Sequence, residues 1–171
     1  MKLNYKKNLK FVTLLITALL IATASATVYN YIYINGSVTF TSGTGLEWIK
    51  GPDAPTNTLI SGSIVTLPFT AQNGSTINYT YCLLIHNLDT SDHPMLISVT
   101  TKAASSYYVE FNMFIFDNAT GTQIDMLNLL TNDSYSGTIS DSATWHLTFE
   151  IITKSTSTTG SDAFYVQFRY E

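Results

Sequence analysis

Short apolar stretches recur along most of the chain, and clusters of Gly, Asn, Asp and Pro separate them. Within these stretches apolar and polar residues alternate, which is typical of β-strands that bury one face. No convincing amphipathic helix competes with this pattern after the first thirty or so residues. The pattern therefore predicts an all-β fold built as a single β-sandwich domain.

We expect nine strands in two packed sheets: Val28–Ile34, Ser37–Thr41, Leu46–Lys50, Thr58–Leu67, Ile77–His86, Met95–Lys102, Tyr107–Phe116, Thr144–Thr153 and Ala163–Tyr170. The segments Asp117–Gly121 and Asn132–Gly137 are rich in turn-forming residues and are predicted to be turns. The pattern of Gln123–Leu130 fits either a short strand or a single helical turn.

Two of these strands allow a prediction of which side chains face the core, because successive side chains point to opposite faces. In Tyr107–Phe116 one face carries Val109, Phe111, Met113 and Ile115, and the other carries Tyr108, Glu110, Asn112, Phe114 and Phe116. In Thr144–Thr153 we expect a buried face of Trp145, Leu147, Phe149 and Ile151, and a solvated face of Thr144, His146, Thr148 and Glu150.

The N-terminus has the pattern of a secretory signal peptide over residues 1–26. Four of the eight basic residues lie in the first ten positions, followed by the apolar run Phe11–Ala22 and then Ala24-Ser25-Ala26. This order predicts cleavage after Ala26. The alternative is a retained membrane helix, because no charge interrupts Phe11–Ile34, a length that can span a bilayer. The β-branched and aromatic residues of Thr23–Ile34 favour a strand and hence cleavage.

Charged residues make up only 12% of the chain, against a usual fraction of about a quarter. This composition excludes an acidic disordered tail, a coiled coil and a basic nucleic-acid binder. The single cysteine excludes a disulfide within the chain. Removing residues 1–26 leaves four basic and twelve acidic side chains, so the expected mature protein has a net charge of −8.

The sequence contains no catalytic or cofactor-binding motif, so we expect neither an enzyme nor a cofactor. His86, His93 and His146 have unrelated spacings and read as ordinary surface or turn residues, and Cys82 reads as a small buried hydrophobe. Calcium is the one alternative, at the oxygen-rich loops Asn87–Asp92 and Asp117–Gly121.

Five N-x-S/T sequons make Asn35, Asn73, Asn78, Asn118 and Asn132 candidates for glycosylation. Asn73, Asn118 and Asn132 lie in predicted turns, where a glycan can project into solvent. The many aromatic residues are expected to pack in the core. The candidates for an exposed carbohydrate platform are Tyr31, Tyr33, Tyr107 and Tyr108.

After cleavage the mature chain would begin with an unusually apolar strand, Thr27-Val28-Tyr29-Asn30-Tyr31-Ile32-Tyr33-Ile34. Chain termini are normally polar and frayed unless they are tied down. Such a strand can pair as an edge strand of its own sheet, or it can fill a groove in the next subunit as a donor strand. The second arrangement is head-to-tail and does not close, so it builds filaments.

The sequence resembles the archaeal secreted filament subunits related to the TasA/camelysin biofilm-fibre family, including the bundling pilins. The similar segments are the end of the signal peptide, residues 27–39, Leu46–Gly51, and Ser134–Ile139 leading into Trp145–Ile151. The resemblance implies a jelly-roll subunit with an N-terminal donor strand. It also implies glycosylated extracellular fibres that mediate cell–cell or biofilm contact.

These observations predict a donor strand at residues 27–34 and a sandwich domain at residues 35–171. We expect a non-enzymatic subunit of a cell-surface filament whose partner is another copy of itself, with neighbouring filaments as further partners. Nucleic acid is not expected as a partner, and membrane contact is expected to be transient unless the N-terminal helix is retained. The alternative is a secreted or membrane-anchored monomeric module that binds carbohydrate or a surface-layer partner.

Overall fold

A computed structural model describes Thr13 and residues 30–40, 45–155 and 159–170. The described residues form eleven strands: β1 (Tyr31–Phe40), β2 (Leu46–Lys50), β3 (Leu59–Ser61), β4 (Ile64–Gln72), β5 (Thr76–Asn87), β6 (His93–Thr101), β7 (Tyr108–Asp117), β8 (Gln123–Asn128), β9 (Ser134–Ile139), β10 (Thr144–Thr153) and β11 (Gly160–Tyr170).

The strands form two sheets that pack face to face, which confirms the predicted β-sandwich. The six-stranded sheet has the order β3-β4-β1-β11-β6-β9, and the five-stranded sheet has the order β2-β5-β10-β7-β8. Every pairing is antiparallel except that of β1 with β11, which is parallel. The first and last described strands therefore lie side by side in the middle of one sheet.

One hydrophobic core fills the space between the sheets. Its centre is a group of aromatic rings, Phe69, Phe111, Phe149 and Phe164, whose centroids lie 5.1–6.3 Å apart. Near one end of the sandwich Phe40 stacks on Trp48 with centroids 4.2 Å apart, and Phe168 packs edge-on against both rings. Side chains from both sheets meet in these contacts, so the core joins the sheets into one unit.

Two predicted divisions of the chain into strands are wrong. The described parts of the two strands expected at Val28–Ile34 and Ser37–Thr41 belong to one continuous strand, β1, and Asn35 and Gly36 lie within it. Val28, Tyr29 and Thr41 lie outside the described residues. The single strand expected at Thr58–Leu67 is divided into β3 and β4 by a turn at Gly62, whose φ of 59° suits glycine.

The expected turn Asn132–Gly137 is also wrong, because β9 begins at Ser134 and pairs with β6. Serine and glycine are common in turns, but here they form an edge strand whose alternate residues Tyr135 and Ile139 face the core. The undecided segment Gln123–Leu130 contains strand β8.

The predicted faces hold except in two respects. Val109 is 57% exposed whereas Tyr108 is 1% exposed, the reverse of the expectation. The register of β7 with β10 shifts at Ile152/Thr153, so Val109 is an extra residue in a β-bulge and the inward positions change parity there. The second exception is that two polar residues on outer faces, Asn112 of β7 and His146 of β10, are buried.

Candidate strand-exchange site

The candidate site is the slot that β1 occupies between β4 and β11. On one side β1 pairs in antiparallel register with β4 from Tyr31↔Gln72 to Thr39↔Ile64. On the other side it pairs in parallel register with β11 from Ile32↔Gly160 to Phe40↔Phe168. Both edges of β1 are thus used in main-chain pairing.

The inward face of β1 fills part of the core. Ile32, Ile34, Val38 and Phe40 are buried, whereas Tyr31, Tyr33 and Asn35 on the other face are exposed. Burial alternates from Tyr31 to Val38, whereas Thr39 near the end of the strand is also buried. An alternating strand can be recognised in a groove by its side chains as well as its backbone.

Gly36 sets the register of β1 in the slot. A Cβ atom on Gly36 would lie 2.4 Å from Cζ and 2.6 Å from Cε1 of Phe164, its direct partner on β11. Phe164 cannot easily move aside, because Phe69, Phe111 and Phe149 surround its ring. A slip by two residues would place Ile34 or Val38 opposite Phe164, so only one register fits.

Hydrogen bonds fix both ends of the slot. The amide of Asn73 donates to the carbonyl of Asn30 at 2.9 Å, and the amide of Phe40 donates to the carbonyl of Ser63 at 3.0 Å. The same Ser63 carbonyl accepts a hydrogen bond from Nε1 of Trp48 at 3.1 Å. Phe40 is therefore held both by its backbone and by its ring.

The predicted donor strand overlaps only partly with the described part of β1. Thr27, Val28 and Tyr29 lie outside the described residues. Asn30 directly precedes β1, and Tyr31, Ile32, Tyr33 and Ile34 form its first part. Since β1 continues to Phe40, the strand that fills the slot is longer than the predicted one.

The five sequons occupy different structural settings. Asn118 and Asn132 are exposed in turns, as predicted. Asn35 and Asn78 are exposed in the middle of β1 and in β5. Asn73 is half-buried in the turn between β4 and β5. Four of the five side chains thus point into solvent.

The acidic loops use their oxygen atoms for internal hydrogen bonds. The buried Asn87 amide donates to the carbonyls of Ser91 and Ser140, each at 2.8 Å, and Asp89 lies 2.8 Å from Nε2 of His93. Oδ1 of Asp117 accepts hydrogen bonds from the amides of Ala119 and Thr120, which lower the pKa of this carboxyl. The described residues contain no cluster of three His, Cys, Asp or Glu side chains that could hold a metal.

Two of the three histidines and the cysteine behave as expected. His86 lies 3.3 Å from Oε1 of Glu47 near the surface, and His93, the first residue of β6, contacts Asp89 of the preceding loop. Cys82 is fully buried, and this burial, followed by the nearby Asp53, raises the pKa of its thiol to about 12. The predicted burial of Cys82 is confirmed.

Among the three histidines, His146 is the one that the sequence misplaced. Its ring lies between Tyr81 and Phe116, with centroids 4.1 and 4.9 Å away, and is only 5% exposed. Burial lowers the pKa of this imidazole, and the carboxyl of Asp117 opposes the effect. The sequence does contain aromatic residues at outward positions, Tyr81 on β5 and Phe116 on β7. They indicate this stack only when it is known that β5 and β7 are the neighbours of β10.

The candidate carbohydrate platform is not one surface. Tyr108 is buried and Tyr107 is half-buried, whereas Tyr31 and Tyr33 are exposed on the outer face of the six-stranded sheet. Two of the four tyrosines therefore share a face, at alternate positions of β1.

No helix within the described residues has the length and apolar character needed to cross a membrane. No protein-family model matches this chain, and none of the curated proteins matches it.

Proposed function

We propose that this protein is a non-enzymatic structural subunit of an extracellular filament. Subunits would join head-to-tail when β1 of one copy leaves its own slot and fills the slot between β4 and β11 of the next. The filament would serve cell–cell or biofilm contact.

The observation that carries this proposal is the position of β1 in the chain and in the sheet. It is the first described strand, it lies in the middle of a sheet, and the other ten described strands all follow it in the chain. An identical strand from another copy could make every contact that β1 makes now. Exchange therefore needs no new surface.

The energetic weight of β1 supports the same conclusion. Burying Ile32, Ile34, Val38 and Phe40 contributes about 1.5–3 kcal/mol each, or about 6–12 kcal/mol together. A whole domain is stable by only about 5–15 kcal/mol. A subunit with an empty slot would be unstable, so each subunit must fill its slot with its own strand or with that of a neighbour.

The geometry allows repeated exchange into a filament as well as the reciprocal exchange that closes a dimer. The surface that donates β1 differs from the slot that accepts it, so the contact between copies is heterologous and can repeat without closing. The Gly36–Phe164 contact admits one register, which would give every joint the same geometry.

A pair of cysteines on opposing strands tests this proposal directly. Tyr33 and Thr70 are partners on β1 and β4, and both are exposed on the outer face. Hydrogen-bonded and non-hydrogen-bonded pairs alternate along two antiparallel strands. Since the pairs Asn30/Asn73 and Phe40/Ser63 are hydrogen-bonded, the pair Tyr33/Thr70 is non-hydrogen-bonded, and in such pairs the Cα atoms lie about 4.5 Å apart. Such a separation permits a disulfide.

We expect the variant Tyr33→Cys/Thr70→Cys, oxidised after assembly, to form disulfides between different chains. Non-reducing gels of the assembled material would then show a ladder of covalent oligomers. The native Cys82 does not interfere, because it is buried. The control is Thr76→Cys/Ile152→Cys, a partner pair on β5 and β10 that does not involve β1 and should give only disulfides within one chain.

The monomeric binding module remains the second candidate, and one observation favours it. In the structure β1 pairs with strands of its own chain, which leaves the sandwich complete as a monomer. Disulfides confined to single chains in the Tyr33→Cys/Thr70→Cys variant, together with an absence of filaments in electron micrographs, would support this module and refute the filament proposal.

A further inference from the structure

The sequon residue Asn35 lines a shallow trough on the outer face of the six-stranded sheet. Its volume is about 650 Å³, and its lining includes Tyr33, Asn35, Pro68, Thr70, Lys102 and Ala163. A second depression of about 330 Å³ continues from Asn35 past Ser37 to Tyr165. Sites for small organic molecules typically have volumes of about 300–1,000 Å³.

The trough arises from the side chains beside Asn35. Its partners on the two neighbouring strands are Pro68 on β4 and Ala163 on β11, which are both short. Tyr33, two residues before Asn35 on the same face, is 56% exposed and stands above them. The Asn35 side chain, to which a sugar can be attached, thus lies in the trough with the ring of Tyr33 at its edge.

We propose that Asn35 carries an N-linked sugar and that this sugar lies in the trough against Tyr33. The ring of Tyr33 offers an apolar surface to the C–H face of a pyranose. The hydroxyl groups of Thr70 and Ser161 and the ammonium group of Lys102 line the same trough and can bond sugar hydroxyls. This inference rests on the proposed function in requiring that the chain be secreted.

The modification is a group transfer from a lipid-linked sugar phosphate. The side-chain nitrogen of Asn35 forms a bond to the anomeric carbon of the sugar and loses one proton. The bond between that carbon and the phosphate oxygen breaks, and the lipid phosphate leaves with the electron pair. The step involves no oxidation or reduction.

The position of Asn35 makes this modification compatible with strand exchange. Asn35 points outward whereas Ile34 and Gly36 face the core, so a sugar leaves the buried face of β1 unchanged. In an exchanged filament the sugar would travel with β1 and lie against Pro68, Thr70 and Ala163 of the next subunit. The sugar would then stabilise the joint between subunits.

The test uses the full chain secreted from a host in which the turn sequon Asn118 is occupied. Mass spectrometry of the peptide containing Asn35 measures occupancy, and thermal unfolding is recorded for the glycosylated protein and for the protein made without glycosylation. We expect a sugar on Asn35, and we expect Tyr33→Ala to lower the Tm of the glycosylated protein by about 2–4 °C more than that of the unmodified protein.

Tyr31→Ala is the matched control, since Tyr31 is an exposed tyrosine on the same face of β1 that does not line the trough. It should lower the Tm equally with and without glycosylation. Asn35→Gln should remove the extra effect of Tyr33→Ala.

An unmodified Asn35 in protein that carries a sugar on Asn118 would overturn the inference, as would equal Tm shifts for Tyr33→Ala with and without the sugar. Electron microscopy separates this failure from that of the filament proposal. Filaments whose Asn35 is unmodified would refute the sugar site alone, whereas modified protein that forms only monomers would refute the filament alone.

Discussion

Replacing Gly36 with alanine tests whether the slot admits β1 in a single register. The added methyl group would lie 2.4 Å from Cζ of Phe164, well inside van der Waals contact. Because Phe69, Phe111 and Phe149 pack around this ring, the clash should push the strand or the ring out of its place.

The expected cost follows from two opposing effects. Overpacking of a core typically destabilises a protein by about 1–3 kcal/mol. Replacing a strand glycine with alanine recovers about 0.5–1 kcal/mol, because the unfolded chain loses freedom. We therefore expect Gly36→Ala to lower the free energy of unfolding by about 1–2 kcal/mol, which for a domain of this size lowers the Tm by roughly 2–8 °C.

The assay is urea denaturation of the soluble chain, extended to a double-mutant cycle with Phe164→Leu. Leucine lacks the outer ring atoms that meet the new methyl group, so the double variant should be more stable than the sum of the single changes predicts, by about 1 kcal/mol. Gly137→Ala serves as the control, because its methyl group would meet the hydroxyl end of the Tyr135 side chain, which can move. Additive single effects, or a Gly36→Ala variant as stable as the parent, would refute the register argument.

Three further predictions concern buried polar groups. The pKa of His146 is lower in the folded than in the unfolded state, so the free energy of unfolding should fall as the pH drops below the ordinary histidine pKa of about 6.5. The variant His146→Phe should reduce the change of the urea midpoint between about pH 7.5 and 5. The buried Cys82 thiol, with its pKa raised to about 12, should react with a thiol reagent only after urea unfolds the chain; fast reaction of the native protein would contradict its burial. Asn87→Ala should cost about 1–3 kcal/mol in urea denaturation because the carbonyls of Ser91 and Ser140 lose their donor, whereas loss of only a few tenths would show that the two loops do not depend on it.

The strands that the sequence predicted well are those with a strong alternating pattern. β2 and β10 have the predicted bounds, and β5, β6, β7 and β11 differ from prediction by a few residues at most. Their inward residues are large and apolar and their outward residues are mostly polar, so the local sequence indicates which face is buried. β9 was missed because its Ser and Gly residues favour turns, and only its pairing with β6 makes it a strand.

The candidate site was predicted only in part. The apolar N-terminal strand drew attention to residues 27–34, but its extension to Phe40 was obscured by Asn35 and Gly36, which resemble a turn. Gly36 is glycine because of the Phe164 ring, not because of a turn, and this contact joins opposite ends of the chain. The hollow beside Asn35 likewise depends on Pro68 and Ala163, which become its neighbours only in the folded sheet.

The sequence by itself determined the fold class, the buried faces of most strands and the positions of the five sequons, since these depend on the local alternation and chemistry of side chains. Only the tertiary structure decided that β1 lies between β4 and β11, that it runs parallel to β11, and that His146 is enclosed by Tyr81 and Phe116. The physical reason is that strand order, register and bulges are set by contacts between residues far apart in the chain, and no local pattern encodes them.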